Sequence, residues 1–144
     1  MQFDKKKFIK DYLNEGKVRL ELAEFALKKG NPNTAIRECQ DSVELVSKCL
    51  LIAFGLYVPE KHEIKEDIKD IVDLFSKDFQ KDFEGDFYSL LKELRREREP
   101  AYYGDVFQNI SPAELYTKED AQNFINRTKK FYSSVRKELL GYLK

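Results

Sequence analysis

The side chain with the clearest chemical potential in this 144-residue chain is Arg98. Phe87, Leu91 and Leu94 recur at steps of four and three, and continuing that apolar row lands on Arg98 and then Ala101. The spacing therefore expects a guanidinium where a core-facing side chain should follow, with Pro100 breaking the helix just beyond. A guanidinium keeps its proton, so a partly buried one needs an anion or several acceptors. Two roles follow. Arg98 caps its helix end or pairs with Glu44 or Asp41, or it stands at the mouth of a cleft that takes a phosphate. Glu44 and Asp41 belong to a charged row with Arg37 and Lys48, spaced three and four apart on a preceding helix. Arg95 and Arg96 face solvent or thicken a phosphate-attracting patch with Arg98. Tyr102 and Tyr103 either pack around the broken helix end or stack on a base.

Most other site chemistries lack their residues. No glycine-rich phosphate loop occurs, and a Ser–His–Asp arrangement would have to rely on His62, the one histidine. Two cysteines and that histidine cannot fill a four-ligand zinc site of the Cys/His type. Glu63, Glu66, Asp67, Asp70 and Asp73 alternate with Lys65 and Lys69, which is the pattern of a solvated helix face rather than a metal site. No metal and no cofactor are expected.

Composition sets the class. Hydrophobic residues make up 42% and charged residues 36%, with 26 basic and 26 acidic side chains balancing to zero. That is enough apolar material for a core, and the balance removes any case for a broadly basic nucleic-acid coat or a polybasic membrane anchor. The length suits one domain spanning residues 1–144. No apolar run approaches the roughly 20 residues of a membrane helix. Met1 to Lys10 is charged and lacks the apolar segment of a signal peptide, so the expected location is cytoplasmic.

The elements that must position these residues are helices. Ile9, Leu13, Gly16, Leu20, Ala23 and Leu27 form one apolar stripe, and Ile36, Cys39, Val43, Val46, Leu50 and Ala53 a second. Ile64, Ile68, Ile71, Phe75 and Phe79 form a third, ended by a break at Gly85. Phe87, Leu91 and Leu94 begin a fourth, and Ala121, Phe124, Thr128, Phe131, Val135 and Leu139 make the last. No segment shows sustained period-two alternation, so the expectation is an all-α, up-and-down bundle of about five helices. A further row, Ala35, Cys49, Ile52 and Leu56, makes the second helix the most buried. Cys39 and Cys49 lie about 15 Å apart along its axis and cannot bridge each other. Asn31 or Asn33 caps that helix behind Pro32. Ser111-Pro112-Ala113-Glu114 carries a reciprocal capping pattern, and Thr117 caps the last helix with Glu119 and Asp120 in its first turn. Gly16 on an apolar stripe costs about 1 kcal/mol relative to alanine, which points to close approach of a neighbouring helix.

The run Arg37-Glu38-Cys39-Gln40-Asp41-Ser42-Val43-Glu44-Leu45-Val46-Ser47-Lys48-Cys49-Leu50-Leu51 resembles the second helix of HEPN domains, whose name abbreviates higher eukaryotes and prokaryotes nucleotide-binding. Gly55, Pro59 and His62 follow it as in many members. Arg98-Glu99-Pro100-Ala101-Tyr102-Tyr103-Gly104-Asp105 is similar to the family signature, an arginine, four residues and a histidine, in an archaeal-type variant with tyrosine last. Leu115-Tyr116-Thr117-Lys118-Glu119-Asp120-Ala121 resembles the entry to the family's last helix. The resemblance covers nearly the whole chain. It implies a helical bundle that commonly forms homodimers, bringing two signature motifs across a shared groove. Many members are metal-independent endoribonucleases, often toxins; others are non-catalytic partners of minimal nucleotidyltransferases or nucleotide-binding modules. The chain has neither the Gly-Ser dipeptide nor the Asp-x-Asp that would mark such a nucleotidyltransferase itself.

Tyr103 stands where those ribonucleases carry histidine. A phenol with a pKa near 10 is about a thousandfold poorer in its basic form at neutral pH than an imidazole near 6.5. Cleavage therefore ranks below binding. The expected nucleotide or RNA site comprises Arg98, Tyr102, Tyr103, Glu44, Lys48 and Arg95, supported by Glu99, Asp41 and His62. Glu99 takes the polar slot after the arginine and is expected to orient it. His62 serves helix entry or substitutes spatially for the missing histidine. If the chain is an enzyme, Arg98 and Tyr103 are its catalytic pair. A purely structural dimerisation module, with Arg98 locked in an ion pair, is the remaining alternative.

Overall fold

Two long helices, α1 (Lys5–Lys28) and α2 (Pro32–Ala53), fold back on each other through a turn in which Gly30 adopts φ +81°. The computed structural model describes residues 3–55 and 63–144, so Leu56, Pro59 and His62 lie outside the described residues. Every residue of the two predicted stripes is buried along these helices. Twelve of the 22 residues of α2 are buried, against seven of 24 in α1, which bears out the expectation that α2 lies deepest. Asp4 caps α1, its side chain accepting the Lys7 N–H at 3.2 Å. Asn31 is the cap residue of α2, but only its backbone carbonyl acts, accepting from Ala35 N–H at 3.1 Å.

α1 and α2 approach each other closely at Gly16. Ser42 Oγ donates to the Gly16 carbonyl at 2.7 Å, and a Cβ on Gly16 would stand 2.6 Å from Val46 Cγ2. Gly16→Ala gains about 1 kcal/mol of helix propensity but overpacks this crossing, which typically costs 1–3 kcal/mol. A net loss of about 1 kcal/mol is expected. Combining it with Val46→Ala should then cost less than the sum of the two single changes, a coupling that urea denaturation of all four proteins would reveal. Strict additivity would mean that the helices do not meet there.

The third predicted stripe does not form one helix. It splits into α3 (Ile64–Ile71), a tight turn over Val72–Leu74, and α4 (Lys77–Asp82). Ser76 causes the break: its Oγ accepts the Phe79 N–H at 3.2 Å and starts α4, while Glu138 accepts the Ser76 N–H at 2.6 Å. Gly85, expected to be a break, instead lies inside a wide π turn (Phe83–Phe87) that joins α4 to α5 (Tyr88–Arg96) without interruption. The extra residue of that turn shifts the helical phase, so Phe79, Phe83, Phe87, Leu90, Leu91 and Leu94 all face inward. Phe87 then meets Phe131 of α8 (Lys118–Glu138) edge-on, with ring centroids 5.1 Å apart.

Two single-turn helices, α6 (Pro100–Tyr103) and α7 (Pro112–Leu115), link α5 to α8. Glu114 accepts the Ser111 N–H at 3.1 Å, and Thr117 and Asp120 exchange hydrogen bonds at 2.9 and 3.0 Å, as the capping patterns predict. The rods α1, α2, α3, α4–α5 and α8 make the expected bundle of about five, with α2 packed against α1, α3, α5 and α8. Cys39 and Cys49 are both free and buried, and burial pushes each thiol up to about 12. No helix among the described residues is long and apolar enough to cross a membrane.

Candidate functional site

The Arg98–Tyr103 segment lies against the N-terminal half of α2. Helix α5 stops at Arg96, and its end tightens: Glu97 N–H reaches both Glu93 and Leu94 carbonyls, and Arg98 N–H reaches the Arg95 carbonyl at 3.3 Å. This tightening changes the phase on which the apolar row was extended. Ala101 still arrives at a fully buried position, but Arg98 turns outward with its side chain 62% exposed. The expectation that Arg98 continues the core-facing row is therefore wrong. Among the described residues its ion-pair partner is Glu44 on α2, at 3.9 Å between NH1 and Oε1. At that distance and exposure the pair is loose and readily exchanged for another anion.

Glu44 is itself held by Gln40, whose Nε2 donates to it at 2.9 Å. Asp41 is exposed one turn away, so of the two acids expected to meet Arg98 the structure selects Glu44. Among the described residues no hydrogen bond or ion pair joins the Glu99 carboxylate to Arg98, the side chain it was expected to orient. The Glu99 backbone carbonyl accepts the N–H groups of Tyr102 and Tyr103, both at 2.9 Å, and so shapes α6 instead. Arg95 is half-buried and lines a small cavity of about 20 Å³ with Gln40, Glu44 and Ser47. Gln40 Oε1 and Ser47 Oγ are buried there without a protein hydrogen-bond partner among the described residues. Lys48 is half-buried one turn beyond Glu44.

The two tyrosines are not core residues. Tyr102 is 54% exposed and Tyr103 68%, with ring centroids 5.0 Å apart and planes tilted by 30°. The Arg37 guanidinium lies over the Tyr102 ring, 3.3 Å from its centroid. A cation on an aromatic face is attracted by the ring quadrupole, so Arg37 holds Tyr102 in place. Arg37 was legible only as the first member of the charged row on α2, and nothing local marks it as a partner of Tyr102. Asn33 adds a second tie, its Nδ2 donating to the Ala101 carbonyl at 3.4 Å. Together α2 and the Arg98–Tyr103 segment thus present two arginines and two tilted phenol rings.

Two further groups tie neighbouring elements together. Tyr116, just after α7, donates its O–H to Glu97 at 2.5 Å, fixing the end of α5 to the start of α8. Burial and the Glu97 carboxylate hold the Tyr116 phenol well above its ordinary range. Arg127 of α8 reaches Asp86 of the π turn at 2.9 Å and Glu93 of α5 at 2.8 Å. Its hydrogen bond, with help from Ser89, keeps the Glu93 carboxyl below the usual range despite partial burial.

This helical arrangement occurs in a solved protein. TT1696 from Thermus thermophilus superposes with a TM-score of 0.74 over 91% of this chain and 98% of its own, at 22% sequence identity, a likeness of fold. No curated protein is detectably similar in sequence. The family model described as HEPN domain matches residues 9–138. That span runs from the first buried residue of α1 to the end of α8 and includes both α2 and the Arg98–Tyr103 segment. By that match, and in agreement with the bundle described above, the chain belongs to the HEPN domain family.

Proposed function

We propose that the α2–α6 surface binds a nucleotide or a short single-stranded RNA. The observation that carries this reading is the exposed Arg98, whose ion pair among the described residues is a 3.9 Å contact to Glu44, on the same segment as the exposed, tilted Tyr102–Tyr103 ring pair braced by Arg37. A phosphate displaces Glu44 and takes the planar donors of Arg98 bidentately, while a base stacks on the tyrosine rings. Glu44 keeps the guanidinium near the surface between binding events. Arg95 and Lys48 add positive charge along the approach. Tyr103 acts here as a stacking platform and hydrogen-bond donor, not as the base of a cleavage reaction. Membership of the family supports a nucleotide- or RNA-related role. Within that role, a non-catalytic partner of a minimal nucleotidyltransferase, or a toxin–antitoxin component acting as a homodimer, suits a chain whose signature lacks histidine.

Titration of ATP and of a short mixed-sequence RNA into the purified protein tests the reading. Arg98→Ala should weaken binding about tenfold, and Tyr102→Ala or Tyr103→Ala by about 5- to 100-fold for RNA, since one base–aromatic stack is worth about 1–3 kcal/mol. Arg98 and both rings are exposed, so the variants should melt as the parent does. Undiminished binding by the variants, or no binding by the parent, contradicts the proposal. Cleavage of labelled RNA in the presence of a chelator, lost in Arg98→Ala, would replace it with the ribonuclease reading.

A further inference from the structure

On the far side of α6, the chain builds a small stiff loop. Asp105 and Ile110 exchange backbone hydrogen bonds at 2.8 and 2.9 Å, closing a hairpin over Val106–Asn109. Asn109 takes φ +57° and donates to the Val106 carbonyl at 3.2 Å, and Asp105 Oδ1 accepts the Gln108 N–H at 3.1 Å. At its tip Phe107 is fully exposed and Val106 nearly so. A hydrogen-bonded loop that holds an aromatic side chain in water presents a ready anchor for an interface.

Beneath the tip runs a groove of about 670 Å³ between the hairpin, the end of α5 and the start of α8. Val106, Phe107 and Phe124 supply apolar wall, and Glu97, Asp105 and Asp120 supply three carboxylates, whereas none of the described lining residues is basic. Each carboxylate is positioned by one neutral donor: Tyr116 O–H on Glu97, Gln108 N–H on Asp105 and Thr117 N–H on Asp120. Each therefore keeps further lone pairs in a fixed place. Arg98, Tyr102 and Tyr103 are not part of this groove.

We infer that this groove docks a basic, amphipathic segment of a partner protein, its lysine or arginine side chains on Glu97, Asp105 and Asp120 and an apolar side chain covering Phe107. Charge decides among occupants. Nucleic acid is repelled by three fixed carboxylates, and a second copy related by a two-fold axis would set the same three acids against one another. A cationic protein segment meets complementary charge and covers the exposed ring.

The probe is a fluorescein-labelled short peptide alternating arginine with leucine, titrated into the full chain by anisotropy. It should bind the parent, more weakly as salt rises, and at least about tenfold more weakly to Phe107→Ser and to the double variant Glu97→Gln/Asp105→Asn. The double variant keeps the Tyr116 and Gln108 hydrogen bonds, and Phe107 has no packing to lose, so melting temperatures should be unchanged. Peptides with glutamate for arginine or serine for leucine should lose at least about tenfold. Equal affinity for parent and variants, equal binding of the glutamate peptide, or no binding at all would overturn the inference. Self-association abolished by Phe107→Ser would assign the groove to a second copy, and RNA affinity lowered by Phe107→Ser would assign it to nucleic acid; either result also overturns it.

Discussion

Gly104→Ala is expected to cost about 3 kcal/mol and lower the melting temperature by about 10 °C. Gly104 has φ +74° and ψ −156°, a region that side chains with a Cβ avoid. Space is as restrictive as torsion. A Cβ there would stand 2.3 Å from the Ile110 carbonyl oxygen and 2.8 Å from both Pro112 N and Ser111 C. These are backbone atoms of the hairpin and of the α7 cap, so no side-chain rotation relieves the clash. The change should therefore also loosen the Asp105–Ile110 pairing, visible as faster amide exchange at those two residues. Thermal melting with and without the substitution checks the magnitude. Parent-like stability would mean that the hairpin is not closed against α7 as described.

Arg127→Met should be nearly as costly, about 2–3 kcal/mol at neutral pH. The Arg127 side chain is 18% exposed and bridges Asp86 and Glu93 from a third element, so methionine preserves the stem but leaves two neighbouring carboxylates without their cation. The pH dependence has a definite sign. Glu93 is held below its unfolded value by the Arg127 hydrogen bond first, so its stabilisation is complete above the unfolded carboxylate range. It is lost as pH falls through the lower, folded value. The stability gap between parent and Arg127→Met should accordingly be full at neutral pH and narrow below about pH 4. Urea denaturation at neutral and acidic pH measures it, and a gap that stays constant with pH would show that Arg127 acts through packing alone.

Periodicity carried most of the helical map because burial enforces it. The stripes from Ile9 to Leu27 and from Ile36 to Ala53 lie on the buried faces of α1 and α2, and Gly16 proved to be a point of close helix approach. Local capping chemistry was equally legible at Ser111–Glu114 and Thr117–Asp120, since both partners lie within one turn. The misplaced break was legible too, but in a different signal: Ser76 followed by Asp78 has the make-up of a helix start, whereas Gly85 is tolerated inside a helix. Extending an apolar row to Arg98 failed because a period presumes that the helix continues, and α5 ends two residues earlier.

What the candidate site needed beyond the sequence was tertiary. Arg37 and Tyr102 lie far apart in the chain, Arg127 reaches back 41 and 34 residues to Asp86 and Glu93, and no spacing rule links such pairs. The exposure of Tyr102 and Tyr103 likewise depends on α6 being a single turn that lodges only Ala101 in the core. Arg98, Tyr102, Tyr103 and Glu44 do share one surface with the face of α2 chosen from the charged row, so the residues were chosen from the sequence while their mutual contacts were not.

The proposed binding is confined to the surface where Arg98 and the tyrosine pair meet α2. Chemical-shift mapping of the isotopically labelled protein during titration with a short single-stranded RNA tests this most directly. The account predicts shifts concentrated on Arg37, Glu44, Arg98, Tyr102 and Tyr103, reversed by added salt, with the Val106–Asn109 tip unaffected. Shifts confined to that tip or to the outer face of α1, with the Arg98 side-chain and tyrosine ring signals unmoved, would contradict it.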